Sequence, residues 1–334
     1  MSADTPTLPA DTTAIPATDA KTASVSLFDH PMADVIIRSS DGVEFRVFKI
    51  DLIRGSPMFK DMFSLTQPPP TDNPEDYKDG LPVISLSETS EVLSILLRCC
   101  MPGTPKIEPL GGIAALVEAG RKYDVEALLE ICEKTLMQMA EQKPAQTYAL
   151  AVFCDFEAVV KQAALYCLRL PMPDLLETHI DQLDLVTGQA FRRLLKYRYQ
   201  CSKTALDYVS SWSKMGSPEN YWENMCSRCS LLVPRTDRAG SIRHIHTWWD
   251  KYLTKITGDL ERCAWDGMVN VEEAQKFFIE GLPLSACTGH NGTAVAAQLT
   301  AFLTKVRSDL ATSIDEITLE YSPRMSQSSE SSSA

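Results

Sequence analysis

Hydrophobic and polar positions change period several times along this 334-residue chain, and each change marks a different element. Val35 and Ile37 alternate with Ile36 and Arg38, Asp41-Gly42 supplies a turn, and Val43, Phe45 and Val47 alternate with Glu44 and Arg46. Period two on both sides of an Asp-Gly pair predicts a strand hairpin with one apolar face. From Lys49 to Arg54 a single apolar helical turn carries Ile50, Leu52 and Ile53. Ser56-Pro57 then fits an N-cap followed by proline at the first helical position, so a second short helix is expected from Pro57, burying Met58, Phe59, Met62 and Phe63.

Beyond these helices Gln67 to Pro82 holds five prolines and four acids, too polar to pack, which predicts an exposed loop over 67–82 before a third strand at Val83 to Ser87. Helical patterns follow around Val92 to Arg98 and from Leu116 to Leu136. Two short apolar-striped helices are expected at Gln146 to Cys154 and Glu157 to Leu170, broken at Pro171 and Pro173. Thr187 to Gln200 reads as a helix with Phe191, Leu194 and Leu195 on one side and Arg192, Arg193, Lys196 and Arg198 on a solvated face. Trp248, Trp249, Tyr252, Leu253, Ile256 and Leu260 form another stripe, with the tryptophans as core rather than a base-stacking platform. The clearest pattern comes last: Val295, Leu299, Phe302, Val306, Leu310, Ile314 and Ile317 recur at three- and four-residue steps without proline or glycine, one long helix that closes its own core.

The wording of the first hundred residues resembles a BTB/POZ domain, carried by Asp34-Val35, Phe45, Phe48, Lys49, Ser56 and Phe59, then Val83 to Ser87 and Leu116 to Leu136. Phe48 stands where the family usually has histidine. The proline-rich insertion is similar to that of fungal members, and the helices after residue 143 are similar to the extension that follows many of these domains. The resemblance implies an α+β fold, short strands with clustered helices, followed by a mainly α-helical region. The expected organisation is a disordered tail over 1–27, the BTB/POZ domain over 28–142, a helical extension over 143–212, a helical region over 213–321 and a Ser-rich tail over 322–334, whose serines read as solvated or as a phosphorylation tract.

The same resemblance implies a protein-interaction adaptor that forms a homodimer, or a heterodimer with another BTB protein, and recruits a protein partner, with a cullin scaffold of a ubiquitin ligase as one such partner. Asp34 and Lys49 are the acidic and basic positions that meet near the dimer interface in many members. Val35, Ile37, Leu52, Met58 and Met62 are the apolar positions on the same short elements, expected to be completed by a second chain. The chain departs from the animal-type adaptors after its third main helix, where Cys100-Met101-Pro102-Gly103 replaces Tyr-Thr-Gly, and it lacks a clear Met-x-Glu segment, so dimerisation follows more directly than ligase membership.

Charge and cysteine usage narrow the remaining classes. The net charge of −12 is unevenly spread: Phe28 to Glu141 holds 19 acidic and 11 basic residues, whereas Ala190 to Arg262 holds 7 acidic and 13 basic. The first region should repel nucleic acid; the second keeps open a rival reading, a zinc-containing nucleic-acid or polyanion binder. Ten cysteines in a chain this long do not make a disulfide framework, and Cys99, Cys100, Cys132, Cys154 and Cys167 sit in helical patterns as small buried hydrophobes. No signal-peptide pattern and no membrane-length apolar run occur, which places the protein in the cytosol or nucleus.

One segment carries candidate metal chemistry. Cys226 and Cys229, three apart, suit one tetrahedral zinc; His244 and His246 would both reach it from an extended strand, and Cys263 follows. Buried or idle thiols are the alternative, and no other cofactor is expected. Dinucleotide, phosphate-loop, hydrolase-elbow and His-Glu-x-x-His motifs are absent, so the chain reads as no enzyme, with no catalytic residue to name.

Overall fold

The computed structural model describes residues 28–65, 76–103, 105, 107, 112–177, 179–216, 232–281 and 292–323. The chain divides into two compact units, with the boundary between Cys132 and Glu133.

In the first unit β1 (Val35–Arg38) pairs antiparallel with β2 (Glu44–Val47), with Val35 opposite Val47 and Arg38 opposite Glu44. Gly42 closes the turn at φ +79°, a conformation that favours glycine. The helices α1 (Lys49–Gly55) and α2 (Pro57–Ser64) follow as the pattern predicts. The segment expected as loop over 67–82 ends differently. Tyr77–Lys78 form β3, which pairs antiparallel with the start of β4 (Leu81–Ser85) across Asp79 and Gly80, both at positive φ. The third strand expected at Val83 to Ser87 therefore begins two residues early, because Asp-Gly makes a tight hairpin turn despite the surrounding prolines and acids. Residues 66–75 lie outside the described residues.

β4 lies parallel to β1, giving the order β2-β1-β4-β3. A central strand with a parallel neighbour is buried on both sides, and Val35, Ile36 and Ile37 are all fully buried rather than one face alone. On the Ile36 side, Lys78 and Asp79 of the β3–β4 hairpin reach back to Glu44 (2.6 Å) and Arg46 of β2, while Arg38 bonds Glu44 at 3.1 Å. This strap of ion pairs spans β1 and covers the side chain that alternation had left outside. Three further helices complete the unit: α3 (Ser90–Cys100), α4 (Ile113–Lys122) and α5 (Glu126–Met139), the last running across the boundary.

The helices join at the α1–α2 junction. Ser56, fully buried, accepts the Phe59 N–H at 3.1 Å and donates its hydroxyl to the carbonyl of Tyr123, just past α4. The Phe59 ring stacks on Tyr123 with centroids 5.4 Å apart. Gly55 passes so close to α3 that a Cβ there would stand 2.5 Å from Cys100 Cα.

The second unit is helical apart from one hairpin. It begins with the antiparallel pair α6 (Pro144–Phe153) and α7 (Glu157–Cys167), followed by the short α8 (Met172–Glu177) and a 3-10 turn at Asp181–Leu185. α9 (Gly188–Val209), capped by Thr187, runs nine residues beyond its expected end, and α10 (Trp212–Met215) is a single turn. β5 (Leu232–Thr236) and β6 (Ile242–His246) form a two-stranded hairpin that hydrophobic periodicity had not marked. α11 (Thr247–Arg262), α12 (Val271–Gly281) and α13 (Gly292–Asp315) complete the unit. Leu299, Phe302, Val306, Leu310 and Ile314 are buried as their spacing requires, and Trp249 meets Phe302 edge to face at 5.7 Å. α11 and α13 both pack on α9, so the segments 143–212 and 213–321 share one unit instead of forming separate regions.

Replacing Ser56 by alanine strips the α2 cap and leaves the Tyr123 carbonyl buried without its donor, a combination worth about 1–3 kcal/mol. Urea unfolding should show that loss, and Gly55→Ala, which drives a methyl into the α3 backbone, should match or exceed it. Near-parental midpoints for both would contradict this account of the junction.

Candidate functional site

Two acids of the β1–β2 hairpin act on helices remote in sequence. The N-cap position of α1 is Phe48, which has no polar side chain, and Asp34 supplies the cap instead: the Lys49 backbone N–H donates to Asp34 Oδ1 at 2.7 Å. The expected Asp34 and Lys49 pair is thus brought together through the main chain, while the Lys49 ammonium stands 5.7 Å from the centre of the Phe63 ring. At the other end of the hairpin Asp41 accepts the Ser90 N–H (2.8 Å) and hydroxyl (2.6 Å), capping α3, whose own N-cap residue Thr89 makes no side-chain cap. Hydrogen bonds from Ser39 and Ser90 hold the Asp41 carboxyl down at about 2.

The face around Asp34 and Lys49 carries large apolar side chains in the open. Met32 is 74% exposed and Ile50 58%, one on each side of the capping contact, and Leu65 at the end of α2 is 69% exposed. Met58 and Met62 are half-buried on α2. Val35, Ile37 and Leu52, expected on the same surface, are instead sealed inside their own unit. The correction is physical: β1 is the sheet's central strand and Leu52 is the inward residue of α1, so neither presents side chains to a second chain. Met32 precedes the patterned hairpin and so had no signal in alternation, whereas Ile50, expected with Leu52 and Ile53 on one apolar helical turn, lies on the outer side of α1.

A second feature of this unit is a cleft of about 590 Å³ between the α1–α2 junction, the end of α3 and the turn before α5, lined by Arg54, Gly55, Cys100, Pro102 and Asp124. Burial pushes the Cys99 thiol up to about 11 and the Cys100 thiol up to about 12, so neither is a thiolate nucleophile at neutral pH. All seven described cysteines are buried.

The expected metal residues do not converge. Cys226 and Cys229 lie outside the described residues. His244 and His246 stand two apart on β6, opposite Pro234 and Leu232, on one face of the strand while the intervening Ile245 is buried. Cys263 sits at the far end of α11 from them; a 16-residue helix is about 24 Å long, so it cannot join their site. Among the described residues no group of three metal-ligating side chains forms. Cys263 instead lies near Arg198, which raises a second correction: Arg198 is 4% exposed, turned into the unit rather than out with Arg192, Arg193 and Lys196. Other cations of the basic middle are engaged internally, Arg235 with Asp250 (2.6 Å), Lys255 with Glu273 (2.7 Å) and Arg238 with Asp207.

A family model of the BTB/POZ domain matches residues 26–140. No curated protein matches the chain.

Because Asp34 works as a cap, Asp34→Ala should cost about 1 kcal/mol, whereas Lys49→Glu, which leaves the backbone donor in place, should cost clearly less in the same denaturation assay; the reverse order would refute the capping role. Metal content tests the cysteine segment. Zinc held by Cys226, Cys229, His244 and His246 would fall from about one equivalent to none in Cys226→Ser and stay unchanged in Cys263→Ser.

Proposed function

Residues 26–140 are a BTB/POZ domain, a protein-interaction fold, and from that premise we propose that the chain is a non-enzymatic adaptor that pairs with a second BTB chain and recruits a protein partner. The observation that carries the pairing is the exposed apolar face of Met32 and Ile50 around the Asp34 cap. Two large apolar groups flanking one exposed capping hydrogen bond, with the half-buried Met58 and Met62 on the next helix, suit the centre of a standard interface of about 800 Å² per partner. Asp34 and Lys49 then act indirectly, holding α1 at the angle that presents Ile50.

The cleft beside Cys100 is a separate concavity of the same unit, and a cullin scaffold is the finer partner class proposed for the domain's remaining surface. Support for the rival polyanion reading is thin, because Arg198 is buried and Arg235, Arg238 and Lys255 already face carboxylates. Among the described residues no helix is long and apolar enough to cross a membrane. The proposed compartment is the cytosol or nucleus, where buried thiols stay reduced.

At tens of micromolar, light scattering should give a dimer for the parent chain and a monomer with unchanged circular dichroism for the double variant Met32→Glu, Ile50→Glu. A strict parental monomer would overturn the pairing. Co-purification of a cullin with the parent separates the ligase role from other adaptor roles.

A further inference from the structure

The chain leaves α13 at Asp315 and runs without helix or strand to Pro323. Its burial alternates: Ile317 and Tyr321 are half-buried and Leu319 is buried, while Thr318 and Glu320 are exposed. That period of two is the signature of an extended strap. On the inner side the Tyr321 hydroxyl donates to Asp155 Oδ1 at 3.2 Å, in the turn between α6 and α7. On the outer side Glu320 pairs with Lys196 of α9.

Lys196 is one turn from Arg192 and Arg193 on α9, so the three cations share a face. All three act on Glu320: the hydrogen bond and charge of Lys196 first, then the charges of Arg193 and Arg192, hold its carboxyl below the usual carboxylate range. One carboxylate set among three cations leaves positive charge on that face for a second anion. Ser322 follows Glu320 by two residues and is half-buried, and the exposed Pro323 comes directly after it. A Ser-Pro pair in extended chain at the surface is the substrate form that proline-directed protein kinases take. The Ser-Pro pair at Ser56-Pro57 is no alternative, because Ser56 is fully buried in the helix junction.

We propose that Ser322 is a phosphorylation site for a proline-directed serine/threonine kinase, and that its phosphate docks on Arg192 and Arg193 and fastens the strap to α9. The Ser322 hydroxyl oxygen attacks the γ-phosphorus of ATP, the bond from that phosphorus to the bridging oxygen breaks, ADP leaves with the electron pair, and the hydroxyl proton passes to the kinase's carboxylate base. The product carries about −1.5 to −2 charge and three acceptor oxygens, which suit guanidinium donors. Nearby acids oppose this, Glu320 and Asp155 among them, but each already has a partner in Lys196 and Tyr321. The proposal is independent of the pairing surface on the first unit.

The test uses the full chain, a purified proline-directed kinase and Mg-ATP, with sites mapped by mass spectrometry. Phosphate is expected at Ser322 in the parent, absent in Ser322→Ala and strongly reduced in Pro323→Ala. Hydrogen exchange over 317–323 should slow about tenfold on phosphorylation, and the double variant Arg192→Gln, Arg193→Gln should accept phosphate yet lose the slowing. No phosphate at Ser322, exchange that is unchanged or faster in the phosphorylated parent, or slowing that survives in the double variant would each overturn the proposal.

Discussion

One buried hydroxyl ties the first unit together. Ser56 spends its acceptor on the first turn of α2 and its donor on the Tyr123 carbonyl, 67 residues later. A side-chain oxygen with both functions used in a dry site has no cheap substitute, since any residue lacking either function leaves a backbone group unpaired. Its neighbours depend on the same closeness. Gly55 has no side chain because α3 occupies that space, and Phe59 lies flat on Tyr123 because the hydroxyl holds both chain segments at one height. α1, α2, α3 and the end of α4 therefore meet within a few residues, and the sheet packs on an assembly already fixed in shape.

From that junction the hairpin gains its role. Asp34 and Asp41 stand at opposite ends of the β1–β2 hairpin and cap α1 and α3, so two helix N-termini take their direction from one hairpin. Capping by a remote carboxylate satisfies N–H groups that local residues leave open, here because Phe48 and Thr89 make no cap of their own. Phe48 has no polar side chain to offer the first turn of α1, and its ring instead meets the His30 ring at 5.0 Å. The exposure of Ile50 follows. With α1 pinned at its first residue and Leu52 inward, the helix has no rotation left that would bury Ile50.

Legibility in the sequence followed the range of the interaction. Features set by neighbours a few residues apart were visible: the hairpin, the Ser56-Pro57 helix start, the stripe of α13 and the tryptophans of α11. Features set by distant partners were not. Ile36 looked exposed because the parallel neighbour β4 and the ion pairs from Lys78 and Asp79 leave no trace in local alternation. The β3–β4 hairpin did have a local signal, Asp79-Gly80, outweighed by counting prolines and acids around it. Cys263 looked like a ligand by order along the chain, yet the helix between it and His246 separates them by its own length.

Arg198 shows the same limit from the energetic side. A guanidinium inside a helical unit, with three thiols nearby and Nε and Nη1 unpartnered among the described residues, pays a desolvation cost that lowers its affinity for its proton. A direct bond offsets part of that cost: Nη2 donates to the Leu170 carbonyl at 2.7 Å, in the turn just after α7 ends. Leu170 lies three residues past the end of α7, outside the helix's own ladder, and a part-buried backbone carbonyl needs a donor, which the guanidinium supplies. An uncharged residue at 198 would remove the desolvation cost and leave that carbonyl unanswered. The position in α9 therefore reads as one of four surface cations only while the turn after α7 is ignored, because that turn supplies the carbonyl that the buried guanidinium bonds.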